Sequence, residues 1–221
     1  MTNRDALALS FLGDTDWSNA KRRPLAGDAS NRRYERLTHP NTGQTAVLMD
    51  APPETGEDVR PFVRIAQHLR RLDLSAPAIF AAEETQGLLL LEDLGDDLFA
   101  NVVVTSPELQ PLLYKSAADV LIALQNEPQP DLEAFDAPML AEMTEPVFEW
   151  YQSGVLGQTD NAAQTEFEAT LLDVLTSLLS GPPVMIMRDY HAENLLWLPE
   201  RQANSKVGLL DFQDAKAGHP A

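Results

Sequence analysis

The sequence predicts an α+β fold in two lobes, and three observations carry that reading. Short strand-like patterns and one amphipathic helix fill the chain up to about residue 95, long helical periods follow, and the charged turn Glu92-Asp93-Leu94-Gly95-Asp96 stands at the change. The expected division is a sheet-plus-one-helix lobe over residues 1–95 and a mainly helical lobe over residues 96–221, with Glu92 to Gly95 as the hinge. A cleft between two such lobes is a natural place for a small ligand.

Each element has a local reason. Arg33-Tyr34-Glu35-Arg36-Leu37 alternates, His39-Pro40-Asn41-Thr42-Gly43 supplies turn residues and Gln44 to Met49 runs apolar, which predicts a hairpin within Arg23 to Leu48. After Pro52-Pro53, the residues Val59, Phe62, Val63, Ala66 and Leu69 recur at three- and four-residue steps and predict one helix. Ala78 to Ala82 and Gly87 to Leu91 predict a second hairpin. Beyond the hinge, helices are expected near Glu108 to Gln125, Ala137 to Gln152 and Ala162 to Leu179. Gly181-Pro182-Pro183 stops the last of these, and Val184 to Met187 and Val207 to Leu210 are expected as short strands.

Composition narrows the function classes. With 44% hydrophobic residues in 221, the chain can bury a real core. Its 34 acidic against 16 basic residues give a formal charge of -18, which repels nucleic acid phosphates and anionic membrane surfaces. There is no cysteine, and so no disulfide framework and no thiolate chemistry. Met1 to Trp17 is interrupted by Asp5, Asp14 and Asp16 and does not read as a signal peptide, and no apolar run approaches a membrane span, so a cytoplasmic protein is expected.

The chemistry concentrates in Met187-Arg188-Asp189-Tyr190-His191-Ala192-Glu193-Asn194, an apolar strand, and then Leu209-Leu210-Asp211-Phe212-Gln213-Asp214. Two short strands each deliver a carboxylate to a loop. Phosphoryl transfer needs a group that positions a hydroxyl nucleophile and oxygen ligands for the magnesium that neutralises phosphate charge. Asp189, Asn194 and Asp211 supply that inventory, with the asparagine five residues after the first aspartate and a phenylalanine after the second.

On these residues the chain resembles the aminoglycoside phosphotransferase family, of protein-kinase-like fold, and within it the anomeric kinases for N-acetylmuramate and N-acetylglucosamine. The resemblance also rests on Gly27-Asp28-Ala29-Ser30 with Arg32-Arg33-Tyr34, on Met49-Asp50-Ala51-Pro52-Pro53 and on Leu90-Leu91-Glu92-Asp93-Leu94-Gly95. It implies ATP and Mg2+ as cofactors, Asp189 as the catalytic base or orienting carboxylate, and Asn194 and Asp211 as the magnesium ligands. Gly27, Asp28, Ala29 and Ser30 would form the loop over the phosphates, and Glu92, Asp93 and Leu94 would face the adenine. The implied acceptor is an N-acetylated amino sugar met in cell-wall sugar recycling.

Two departures stand out. Met187 takes a position usually held by histidine, and Met49 the position of the lysine that contacts nucleotide phosphates; a thioether cannot replace an ammonium group. Either an arginine such as Arg32 or Arg33 substitutes, or the nucleotide is held more weakly. Such kinases are also expected to continue past Ala221 with further helices on the acceptor side, which makes this chain a fragment by expectation.

Other readings stay open on residues alone. Asp189, His191, Glu193, Asp211, Asp214 and His219 form an inventory that a metal-dependent phosphoester hydrolase could use. Met49 and the early end suit a non-catalytic nucleotide-binding module, and the acceptor could instead be an aminoglycoside, choline or homoserine. Trp150 and Tyr151 either stack on a sugar ring or cap the core, and Met185 and Met187 are expected to fill core space.

Overall fold

The computed structural model describes residues 3–25, 31–158 and 160–220. In chain order, helix α1 (Asn3–Gly13) leads into strands β1 (Lys21–Pro24), β2 (Arg33–Thr38) and β3 (Thr45–Asp50), helix α2 (Arg60–Arg71), strands β4 (Ile79–Glu83) and β5 (Leu88–Glu92), and helices α3 (Phe99–Thr105) and α4 (Gln110–Asn126). Then come β6 (Ala134–Phe135), α5 (Ala137–Glu142), α6 (Ser153–Leu156), α7 (Asn161–Leu178), β7 (Val184–Ile186), β8 (Leu195–Trp197), β9 (Val207–Leu209) and β10 (Lys216–Gly218). The chain forms two compact units, one of Met1–Val120 with Asp189–Asp214, the other of Leu121–Arg188 with Ala215–Ala221.

The first unit is built on a five-stranded antiparallel sheet ordered β1-β2-β3-β5-β4. Both expected hairpins are present. Because strand side chains alternate between faces, Ala46, Leu48, Leu88 and Leu90 share one face and form a buried cluster with Leu37 and with Ala8 and Leu12 of α1. Val47 pairs with Leu91 and Met49 with Leu89 in the register of β3 on β5, and these residues belong to the other face. Helix α1 was not expected. It is fastened by Arg4, whose Nε donates to Asp50 Oδ1 at 3.0 Å and whose Nη2 reaches the Gln86 carbonyl at 2.7 Å. Arg33 Nη2 takes the second Asp50 oxygen at 2.7 Å, so this buried carboxylate is satisfied at both atoms.

Helix α2 buries Phe62, Ala66 and Leu69 as its periodicity predicts, and the Phe62 ring lies 4.8 Å from that of Phe212. Strands β8 and β9 pair antiparallel, Leu195 with Leu209 and Trp197 with Val207. They are held within this unit by Trp197 N–H donating to the Asp97 carbonyl at 2.8 Å and Leu209 N–H to that of Ser75 at 2.9 Å.

The second unit carries a three-stranded sheet ordered β6-β10-β7. Two of its helices begin at aspartate caps: Asp136 accepts from Met139 N–H at 3.1 Å, and Asp160 from the N–H groups of Ala162 and Ala163. The helix expected over Ala137 to Gln152 is not continuous. It stops after Glu142, and a separate π-helical turn spans Val147–Gln152. Pro146 has no N–H to donate to the Glu142 carbonyl four residues back, and its ring crowds that carbonyl, which accounts for the break after Glu142. Met185 and Met187 are buried as expected, whereas Trp150 and Tyr151 are 70% and 67% exposed. No helix among the described residues is long and apolar enough to cross a membrane.

Gly87, between β4 and β5, has φ +71°, and a Cβ there would sit 1.9 Å from the Ala51 carbonyl oxygen, with backbone on both sides of the clash. Gly43 has a similar φ of +72° but open space around it. Gly87→Ala is therefore expected to destabilise by about 3 kcal/mol or more and Gly43→Ala by only about 1 kcal/mol, read from urea unfolding of both variants.

Candidate active site

The candidate residues gather in the first unit. The Asp189–Asn194 loop is anchored from two sides. Ala100 N–H, at the start of α3, donates to the Ala192 carbonyl at 3.0 Å, and the Tyr190 hydroxyl donates to the Ala117 carbonyl of α4 at 2.9 Å. Burial pushes the Tyr190 phenol well above its ordinary value, so it stays a protonated donor. His191 closes the loop internally: its carbonyl accepts from Asn194 N–H at 2.9 Å and its Nδ1 from Glu193 N–H at 3.3 Å. The Asp189 side chain is left exposed at the loop surface.

The β8–β9 register brings the second carboxylate to this loop. Leu210 N–H donates to the Asn194 carbonyl at 3.0 Å, which places Asp211 beside the asparagine. Asn194 Nδ2 donates to the Asp189 carbonyl at 3.0 Å and lies 3.5 Å from Asp211 Oδ2. Gln213 Nε2 donates to Asp211 Oδ1 at 2.7 Å. Asp211 has φ +54° and Arg188, just ahead of Asp189, has φ +59°. Left-handed conformations of this kind cost about 1–3 kcal/mol each and persist where the surroundings fix them; for Asp211 the fully buried Phe212 next in sequence does so.

Asn194, Asp211 and Gln213 line one cavity of about 400 Å³. Val47, Met49 and Leu91 wall it from the sheet, Leu196 and Leu210 from the β8–β9 segment, and Glu92 to Gly95 border it. An apolar slot with a few polar groups is the form of a small-molecule site. The carboxylates of Glu92, Asp93 and Asp96 are each held by neighbouring groups. Arg36 donates to Asp93 Oδ1 at 3.0 Å and to the Asp96 oxygens at 2.7 and 2.9 Å, and Asp93 in turn accepts from Gly95 N–H at 3.0 Å. The Arg36 hydrogen bonds hold the Asp96 carboxyl below its usual range. Glu92 is held by Arg201 at 2.6 Å and by the Ala78 N–H at 3.1 Å.

Arg32 is bound to Glu57, Nε to Oε2 at 2.8 Å, and its Nη1 lies 3.9 Å from Asp211 Oδ1. Gly27, Asp28, Ala29 and Ser30 lie outside the described residues. Four participants are given no role by the sequence. Glu57, Arg36 and Tyr190 depend on partners far along the chain, and Gln213 sits in the quoted Asp-Phe-Gln-Asp run without a visible role until its contact with Asp211 is seen.

The donor set fits a magnesium ion shared with phosphates. Such an ion takes one or two protein oxygens and fills its shell with phosphate oxygens and water. Asp211, with a side chain 38% exposed, offers an anionic oxygen for that role, whereas the adjacent Asn194 amide turns its Nδ2, 3.5 Å away, toward Asp211 Oδ2. Among the described residues no three histidine, aspartate or glutamate side chains gather to cage a metal, so the donor set of a metal-dependent hydrolase is not assembled there.

Residues 21–221 match the phosphotransferase enzyme family. The chain belongs to that family. It is 36% identical, over its whole length and 70% of the relative's, to the N-acetylmuramate/N-acetylglucosamine kinase of Caulobacter vibrioides. To the protein of the same name from Pseudomonas putida it is 35% identical over 87% of its length, spanning 55% of that relative. Its fold is shared with a Streptomyces rimosus aminoglycoside phosphotransferase solved with ADP and streptomycin, at a TM-score of 0.62 and 14% identity over 100% of this chain and 80% of that one. The antiparallel sheet and the cavity beside Glu92 to Gly95 are thus parts of a kinase-like α+β fold, as the sequence predicts.

Arg36→Met should loosen this cavity edge, because it strands the Asp93 carboxylate, whose side chain is only 4% exposed, without its partner. The expected outcome is a loss of about 1–3 kcal/mol in stability together with faster amide hydrogen exchange at Gly95 and Asp96, measured by urea unfolding and exchange mass spectrometry.

Proposed function

We propose that this phosphotransferase moves the γ-phosphoryl group of ATP to the anomeric hydroxyl of N-acetylmuramate or N-acetylglucosamine, in the cytoplasm, giving a sugar 1-phosphate and ADP. The observation that carries the reading is the joining of Asn194 and Asp211 to the Asp189 loop at the polar end of an apolar, nucleoside-sized slot. The relatives' names support the acceptor, and the nucleotide found in a protein of the same fold supports ATP.

The acceptor oxygen attacks the γ-phosphorus, the bond from that phosphorus to the β–γ bridging oxygen breaks, and the hydroxyl proton passes to the Asp189 carboxylate. Exposure of Asp189 suits a group that must meet a diffusible acceptor. Magnesium would be held by Asp211, joined by the Asn194 amide oxygen once that amide turns its oxygen to the site, and would neutralise phosphate charge. Gln213 orients Asp211 and leaves the carboxylate's Oδ2 on the Asn194 side. Leu91, Met49 and Leu196 would sandwich the base, with Glu92 to Leu94 along its edge. An anomeric hydroxyl is more acidic than an ordinary alcohol, and a loose transition state puts the weight on positioning and charge, so an unremarkable carboxylate suffices.

Substituting the two aspartates should separate their roles. Asp189→Asn is expected to lower turnover by about 100-fold or more while magnesium-ATP binds within a few-fold of the parent. Asp211→Ala should instead remove the magnesium dependence of nucleotide binding. Isothermal titration at several magnesium concentrations beside a coupled turnover assay reads both, and turnover of Asp189→Asn near the parent level would take that residue out of its role.

For the acceptor, magnesium-ATP is incubated with N-acetylmuramate, N-acetylglucosamine, an aminoglycoside, choline and homoserine, and the phosphate is located by phosphorus-coupled NMR. Phosphate at C1 of an N-acetyl sugar is expected. Phosphate on an amino alcohol or aminoglycoside, with both sugars untouched, would leave a kinase of different acceptor class.

A further inference from the structure

The cavity holds a charge problem. Its polar end carries Asp211, and the ligand proposed for it brings three more negatively charged groups, yet the central-strand residues that line it, Val47 and Met49, are uncharged, and Met49 is only 2% exposed. A cation must come from elsewhere. Three arginines lie close in sequence on β2 or just ahead of it. Arg33 is 51% exposed at its side chain and is bonded to Asp50, which Arg4 shares. Arg36 is taken up by Asp93 and Asp96 at the cavity edge. Arg32 alone of the three contacts Asp211.

The arrangement at Arg32 divides its guanidinium in two. Nε donates to Glu57 Oε2 at 2.8 Å, Nη1 is 3.9 Å from Asp211 Oδ1, and Tyr34, a wall residue of the cavity, also hydrogen-bonds to the group. Glu57 is itself fixed, since its Oε1 accepts the Asn31 N–H at 3.1 Å, and both side chains are largely withdrawn from solvent, at 15% and 11% exposure. A planar fork can be gripped at Nε while its terminal nitrogens stay aimed at a second anion; an ammonium, a single point of charge, cannot be held in that directed way.

We propose that Arg32 is the cation that binds the nucleotide's terminal phosphates in place of a sheet lysine, and that Glu57 is the positioning residue that aims it. The assignment rests on the phosphotransferase reading above. The contact with Asp211 marks the spot: phosphates bound beside that carboxylate lie within reach of the same Nη1.

The test compares magnesium-ATP and adenosine as calorimetric ligands of the parent chain, Arg32→Met, Arg33→Met and Glu57→Gln, with thermal unfolding of each. Charge-assisted hydrogen bonds to a phosphate predict that Arg32→Met weakens magnesium-ATP about 10- to 100-fold while adenosine binds within about twofold of the parent. Arg33→Met should leave both ligands within about twofold. Glu57→Gln should weaken magnesium-ATP by a smaller factor, and the double variant Arg32→Met/Glu57→Gln should bind no worse than Arg32→Met alone, a non-additivity that a merely structural glutamate would not show.

Should Arg32→Met fail to fold, Arg32→Lys keeps the charge and loses the fork, and it is expected to weaken magnesium-ATP about 3- to 10-fold. Magnesium-ATP binding equal to the parent in the folded Arg32 variant, or an equal loss for adenosine, overturns the assignment and leaves the phosphotransferase reading intact. A parent chain that binds adenosine but gains nothing from the phosphates overturns both.

Discussion

The pairing of β8 with β9 is the constraint on which the site depends. Its register sets Leu195 against Leu209, and the next rung, Leu210 N–H to the Asn194 carbonyl, brings Asp211 beside the asparagine. A slip of one residue would turn every side chain of β9 to its opposite face. Two features prevent it. Gly208 is packed so closely that a Cβ would come within 3.0 to 3.2 Å of Leu196, Leu198 and Leu94, and Phe212 is sealed against Phe62 of α2. Asp211 then has little freedom, and its left-handed backbone follows from the anchors on either side of it.

Electrostatics work locally in this chain despite its formal charge of -18. Within the first unit several arginines near the site are committed to carboxylates: Arg4 and Arg33 to Asp50, Arg32 to Glu57, Arg36 to Asp93 and Asp96, Arg201 to Glu92. Ion pairs of this depth add little net stability, because desolvation offsets most of the attraction, but they fix geometry, since removing one partner leaves a buried charge behind. A positively charged corner at the phosphates needs only one guanidinium correctly held. Net charge governs what the surface repels at long range; it says nothing about such a corner.

What could be read from the sequence follows from how local each signal is. The hairpins within Arg33 to Met49 and Ala78 to Leu91 were legible because turn chemistry and alternation sit in adjacent residues. Asp189, Asn194 and Asp211 were legible because a short strand pair separates them. Helix α1 was not, since its place comes from Ala8 and Leu12 meeting sheet residues about 30 to 80 positions later, and α3 was not, although its first N–H groups anchor the Asp189 loop. The helix over Ala137 to Gln152 was overextended because apolar spacing continues past Glu142, whose carbonyl finds no N–H at Pro146. Glu57 lay in a loop with no pattern at all; its meaning comes wholly from Asn31 and Arg32, 26 and 25 positions away.

Met49 looks at first like a loss of function, and its surroundings argue otherwise. The position is 2% exposed, in a strand paired on both sides, and a lysine there would carry an ammonium into low dielectric at a substantial desolvation cost unless a carboxylate met it. Methionine instead extends the apolar wall formed with Val47 and Leu91, and in the proposed arrangement the charge would come from Arg32, just ahead of β2. That shift ties the cation to the segment just after residues 26–30, because the same Glu57 carboxylate holds the Asn31 backbone and the Arg32 guanidinium. With Arg32 as the proposed phosphate-binding cation, affinity for the phosphates and the conformation at Asn31 would be coupled through one side chain, a dependence that a lysine on the central strand would not create.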